Sequence, residues 1–92
     1  RKEQKRLEAE ARNRRAQERR AQQQAVEALE QRIQHLETRQ QELTLSLEQP
    51  EAHQHGGRAR QINLELADVA NELAAANREW EQAAEKLTAK ED

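Results

Sequence analysis

Five arginines fall within the nine positions 12 to 20: Arg12, Arg14, Arg15, Arg19 and Arg20. A guanidinium keeps its charge and presents a planar fork of donors that matches a phosphate. Such a run can hold nucleic-acid backbone by an attraction that is indifferent to sequence and falls steeply with salt. It can equally dock on an acidic protein surface, because contacts of this kind carry no base-reading information.

The second cluster with reactive side chains is His53-Gln54-His55, beside Gly56-Gly57. A zinc site needs three or four ligands and a supporting outer shell, and the remaining His35 belongs to a helix face far from these two. Solvated loop histidines and no metal are therefore expected. The chain has no Cys or Tyr, and no serine or histidine arrangement that resembles a nucleophile with its base. Its glutamates are spread along helix faces rather than paired for acid or base work, and no Gly-rich phosphate loop is present. No catalytic residue and no cofactor are expected, so the chain reads as non-enzymatic. Trp80, the single aromatic residue, is the one side chain able to stack on a base.

The elements that position these residues follow from composition and spacing. At 92 residues, 34% hydrophobic and 37% charged, the chain is one domain at most and is poor in the side chains that fill a thick core. Ala, Glu, Gln, Arg and Leu dominate, as in long solvated helices and coiled coils. With no bilayer-length apolar run and no signal-peptide pattern, the chain is expected to be soluble and cytoplasmic, without a membrane partner. The missing cysteines fit a reducing compartment. Met is absent even at position 1, which predicts a segment of a longer protein.

From Val26 the apolar residues recur by threes and fours through Leu29, Ile33, Leu36, Leu43 and Leu47, with Gln40 taking one place in the series. A second seam runs through Ile62, Leu66, Val69, Leu73, Ala76, Trp80, Ala83 and Leu87. Both are heptad seams. Pro50 and both glycines lie between them; Pro50 breaks a helix and glycine accepts left-handed backbone angles. The spacing predicts an all-α fold, a two-helix antiparallel coiled-coil hairpin with helices over 21–48 and 58–90 and a loop over 49–57. Its layers pair Leu47 with Ile62, Leu43 with Leu66, Gln40 with Val69, Leu36 with Leu73, Ile33 with Ala76, Leu29 with Trp80, Val26 with Ala83, and Gln22 with Leu87. Arg39 is expected near Glu72 and Arg32 near Glu79, as exposed pairs that report register more than stability. Arg32 can also reach Glu37 of a second copy in a parallel dimer, but the short loop favours a monomeric hairpin. Trp80 opposite Leu29 makes the widest layer. Ala67, Ala70, Ala74 and Ala84 either fill exposed helix or admit a close neighbour.

Carried back in register, the first seam becomes Gln22, Arg19, Arg15, Arg12, Glu8, Lys5 and Arg1. Residues 1–20 hold nine Arg or Lys against four Glu, a net of +5, and the rest holds seven against fourteen acids, a net of −7. Residues 1–20 form a basic extension, a helical arm or a linker, attached to the hairpin of residues 21–92. Residues 1 to about 18 have no partner segment in the hairpin.

The run "RKEQKRLEAEARNR" at 1–14, the leucine heptad, the Pro50-Glu51 loop and "REWEQAAEKL" at 78–87 together resemble the C-terminal tail of ABC-F proteins. These are ATPases with two tandem ATP-binding cassettes and no membrane domain. The resemblance implies that the basic run leaves a preceding cassette and that ATP and Mg belong to that cassette. It also implies a role in translation, with ribosomal RNA or DNA as partner, and ribosomal protein or the parent's own cassettes as further contacts. Where relatives often place a bulky Leu-Tyr after Pro-Glu, this chain has Ala52-His53, so its loop is expected to be less firmly pinned. The combined expectation is a nucleic-acid-binding accessory domain acting through Arg12, Arg14, Arg15, Arg19 and Arg20. A structural hairpin for protein docking or self-association is the alternative.

Overall fold

A computed structural model describes residues 1–54 and 56–89. His55 and the expected end of the second helix at residue 90 lie outside the described residues. The chain folds as α1 (Lys2–Glu48), a single turn α2 (Glu51–Gln54) and α3 (Arg58–Ala89). Among the described residues there is no strand, and α3 packs back along α1 as an all-α hairpin.

α1 runs without a break through residues 20 and 21. Good helix formers occupy nearly every position and no Gly or Pro precedes Pro50. Ion pairs from Arg6 to Glu3 (3.9 Å) and to Glu10 (4.0 Å) lie along its exposed surface. Thr38 and Thr44 return their hydroxyls to the carbonyls of Gln34 and Gln40, at 3.0 and 2.8 Å. That satisfies the hydroxyl within the helix and reduces the cost of a β-branched residue there. The 47 residues of α1 give a rod of about 70 Å at 1.5 Å per residue. It is the main axis of a molecule 79 × 17 × 15 Å in extent.

The reversal is built in small steps. Gln49 takes extended angles (φ −75°, ψ 138°) and its N–H reaches the Ser46 carbonyl at 3.2 Å, as suits a residue placed before proline. Pro50 then opens a turn in which the Ala52 N–H donates to Gln49 and the His53 N–H to Pro50. The expected loop therefore contains a helical turn, and it is pinned. Ala52 is buried, and His53 Nε2 donates to the Leu47 carbonyl at 2.7 Å, satisfying an end carbonyl of α1. These two residues supply the anchoring that was expected to be weak in the absence of larger side chains.

Only one glycine uses its conformational freedom. Gly57 has φ +86° and its carbonyl accepts from the Gln61 N–H at 2.9 Å, closing the first turn of α3. Gly56 has no positive φ, and a Cβ there would meet nothing within 4 Å. Gly57→Ala should therefore lower stability by about 1 kcal/mol, whereas Gly56→Ala should be neutral or raise it by up to ~1 kcal/mol through the unfolded chain. Urea unfolding of the two variants checks this, and equal midpoints would contradict it.

The core sits in the loop-proximal half. Leu36, Leu43, Ala52, Ile62, Val69, Leu73 and Ala76 are buried, with Ile33, Leu47 and Leu66 packed against them. Each of the five layers from Leu47/Ile62 to Ile33/Ala76 holds at least one buried member. In the three layers beyond, Leu29, Trp80, Val26, Ala83, Gln22 and Leu87 are all half-buried.

The flanking ion pair differs from expectation. Arg39 binds Glu65, through Nη2 at 2.6 Å and Nε at 3.0 Å, and also Glu42 at 3.3 Å. Among the described residues, no ion pair joins Arg39 to Glu72 or Arg32 to Glu79. Glu65 and Glu72 share one flank of α3, one heptad apart. Glu42, one turn further along α1, draws the guanidinium toward the loop, where it meets two carboxylates instead of one. The hydrogen bonds that Arg39 donates to Glu65 and then to Glu42 raise its pKa above the ordinary value, so its charge is retained.

Candidate nucleic-acid interface

α1 extends beyond the point reached by Ala89, the last described residue of α3. Every residue from Arg1 to Ala21 is exposed except the half-buried Ala9 and Ala11. The arm stays helical in this setting because it propagates from a helix already nucleated by the hairpin, and adding residues to an existing helix avoids the nucleation cost.

The periodicity of the helix sorts its charges. Arg12, Arg15 and Arg19 fall three and four residues apart on one line, continued by Lys5 and Arg1 toward the start and interrupted by Glu8. This is the line that becomes the apolar seam from Val26 onward, so the basic face points to the side on which α3 packs. Lys2 and Glu18 flank it on opposite sides. Arg14 and Arg20 do not share it: at 3.6 residues per turn each lies well off the line, toward the reverse side, which carries Glu3 and Glu10. Arg6, bound to Glu3 and Glu10, also belongs to that reverse side. Among the described residues Arg12, Arg14, Arg15, Arg19 and Arg20 are exposed and form no ion pair. Small Ala9 and Ala16 lie between the cations, which lets a partner approach the helix closely.

The remaining chemical candidates lie elsewhere. His53 is engaged by the Leu47 carbonyl, and among the described residues no three His, Cys, Asp or Glu side chains gather to hold a metal. Trp80 is half-buried and its Nε1 is enclosed without an acceptor. The groove beside it is lined by Glu81, Ala84, Glu85, Thr88 and Ala89. Two carboxylates there oppose a phosphate, so Trp80 is placed as part of the coil rather than as a stacking platform. The expected coil residues divide in the same way. Leu36, Leu43, Ile62, Val69 and Leu73 are buried, and Val26, Leu29, Ile33, Leu47, Leu66, Trp80 and Leu87 are half-buried. Ala52 and Glu65 carry structural contacts that the sequence reading did not assign. Glu65 was legible as a residue of the same flank as Glu72, whereas an alanine in a loop gives no periodic signal.

The family model for the ABC transporter C-terminal domain matches residues 17–85. The chain belongs to that family. The matched span takes in the whole reversal and nearly all of both packed segments of this C-terminal domain. It leaves residues 1–16, with Arg12, Arg14 and Arg15, outside the match. Membership therefore accounts for the hairpin and is silent on most of the arm. No protein of curated function and no solved structure matches this ABC transporter C-terminal domain. Among the described residues no helix is long and apolar enough to cross a membrane.

Proposed function

We propose that this ABC transporter C-terminal domain is a non-catalytic accessory of a cytoplasmic ABC-F ATPase that works on the ribosome in translation. In this reading it helps hold its parent on ribosomal RNA or DNA by phosphate contacts. ATP and Mg are handled by the parent's cassettes, and no residue of this chain takes part in hydrolysis. The reading is supported by one observation above all: a basic, solvent-exposed helical arm extends from the hairpin, with Arg12, Arg15 and Arg19 on its exposed seam and Arg14 and Arg20 exposed on either side of it. Titration of labelled RNA and DNA with the 92-residue chain, followed by fluorescence anisotropy over a salt series, tests it. Saturable binding that weakens steeply with salt is expected. Replacing Arg12, Arg14, Arg15, Arg19 and Arg20 together by Gln should abolish most of it, and unchanged binding at low salt would refute the assignment.

A second reading, a hairpin for protein docking or self-association, draws on the open end of the coil. Three layers are half-buried there, and Gln22 Oε1 and Trp80 Nε1 are enclosed with no hydrogen-bond partner. Sedimentation at several concentrations separates the self-association version, which requires a concentration-dependent dimer; the monomeric hairpin predicts one species throughout.

A further inference from the structure

We infer that two copies of this chain pair antiparallel along a second face of α1, with Arg14 of each copy set against Glu18 of the other. This rests on the self-association reading above and adds the face, the direction and the register of the contact.

The face is a heptad series that the hairpin leaves uncovered. Leu7, Ala11, Arg14, Glu18, Ala21 and Ala25 recur by fours and threes along α1, about 100° around the helix from the seam that meets α3. Ala11 is half-buried and the other five are exposed, Leu7 at 57%. A series of this period is built for a helical partner, and its order specifies which one. Turned end for end, the series is complementary to itself: Leu7 meets Ala25, Ala11 meets Ala21 and Arg14 meets Glu18. A two-fold interface requires this property, because each of its contacts occurs twice. The layers set a large side chain against a small one, a small one against a small one, and opposite charges against each other. A parallel pair would instead set Arg14 against Arg14 and Glu18 against Glu18, and like charges so placed repel.

The hairpin supplies a seat for the arm of the second copy. Beside Ala21 and Ala25 runs a shallow groove, bounded on the α3 side by Glu79, Gln82, Ala83 and Lys86. In the antiparallel register Leu7 of the second copy comes level with Ala25 and enters this groove. Its Arg1 and Glu8 come level with positions 78 and 85 of α3, next to Glu79 and Lys86, so both flanking contacts are of opposite charge. The arm then lies as a third helix beside the half-buried layers of Val26, Leu29, Trp80 and Ala83. The exchange also sets the net +5 of residues 1–20 in one copy against the net −7 of residues 21–92 in the other. From Leu7 to Ala25 the paired stretch is ~27 Å long, and the loop half of each coil stays outside it.

Sedimentation equilibrium of the intact 92-residue chain, carried up to about 1 mM so that even a weak pair is populated, should show monomer and dimer. Leu7→Ala acts twice in a symmetric pair and should weaken the dimer about tenfold. Arg14→Glu and Glu18→Arg should each weaken it several-fold, and the two together should restore it. Far-ultraviolet circular dichroism verifies that each variant keeps its helix. Because the chain has no Cys, introduced thiols report the direction. Under mild oxidation a mixture of Ala11→Cys and Ala21→Cys chains should give the mixed disulfide in several-fold excess over either self-linked product. Like positions lie ~15 Å apart in this register, whereas a disulfide needs Cα atoms within about 7 Å. A dimer indifferent to Leu7→Ala and Arg14→Glu, or Ala11→Cys chains that link to themselves as readily as to Ala21→Cys chains, overturns this inference and leaves self-association standing. A monomer at every concentration overturns both.

Discussion

Ile62→Ala should leave the hairpin largely unfolded at room temperature. Ile62 is 2% exposed and lies at the start of α3, where the core cluster, the loop and Ala52 meet. Removing its distal carbons takes away buried apolar surface and leaves a cavity, at about 2–5 kcal/mol for such a truncation. Two helices bury little area for their length, so a loss of that size is comparable with the whole stability of a domain this small. Urea or thermal unfolding followed by circular dichroism would show the native baseline lost or the midpoint sharply lowered. Leu64→Ala is the matched control. Leu64 is 59% exposed two residues away, and its truncation should change stability by no more than ~0.5 kcal/mol. If the two variants unfolded alike, the packed face of α3 would be assigned wrongly.

Ala76→Glu should be comparably disruptive, and Ala74→Glu should be harmless. The three consecutive alanines at 74, 75 and 76 are exposed, half-buried and buried respectively. Ala76 is only 1% exposed and belongs to the core cluster with Ile33 packed against it. A carboxylate forced into that seam has no cationic partner, and its desolvation costs several kcal/mol unless the helices separate. Its larger volume adds overpacking of about 1–3 kcal/mol. At position 74 the same side chain stands in water on a good helix-forming site. Loss of helix in Ala76→Glu together with a near-native Ala74→Glu is the expected result. Matching midpoints for the two would refute the rotational setting of α3.

Salt should distinguish the two kinds of charge on the molecule. Arg39 with Glu65 and Glu42 is an exposed cluster that ties α1 to α3. Arg12, Arg15 and Arg19 on the seam of the arm, by contrast, form no ion pair among the described residues. Added salt screens exposed charges, most completely beyond a Debye length of about 10 Å at 0.1 M. It therefore acts on the binding proposed for the arm much more than on a hairpin held by apolar packing.

The all-α hairpin was legible because its signals are local and periodic. Apolar residues recur by threes and fours in two runs, and Pro50 with two glycines separates them. The same periodicity places Arg12, Arg15 and Arg19 on one line and Arg14 behind it, because a continuous helix converts spacing into direction. Three matters depended on tertiary structure. Which carboxylate Arg39 takes was decided by Glu42 and Glu65 lying within reach of one guanidinium, a comparison that heptad position leaves open. The burial of Ala52 arises where a helical turn brings a small side chain onto the coil, and no repeat marks that position. The division of one uniform seam into a buried loop half and a half-buried outer half is likewise marked by no repeat in the sequence. The sequence by itself determined the elements, their faces and the place of reversal, since each depends on residues within a few turns of one another. Only the tertiary structure decided the flank contacts, the pinning of the loop and the quality of each layer, because those depend on distances between residues brought together from opposite sides of the turn.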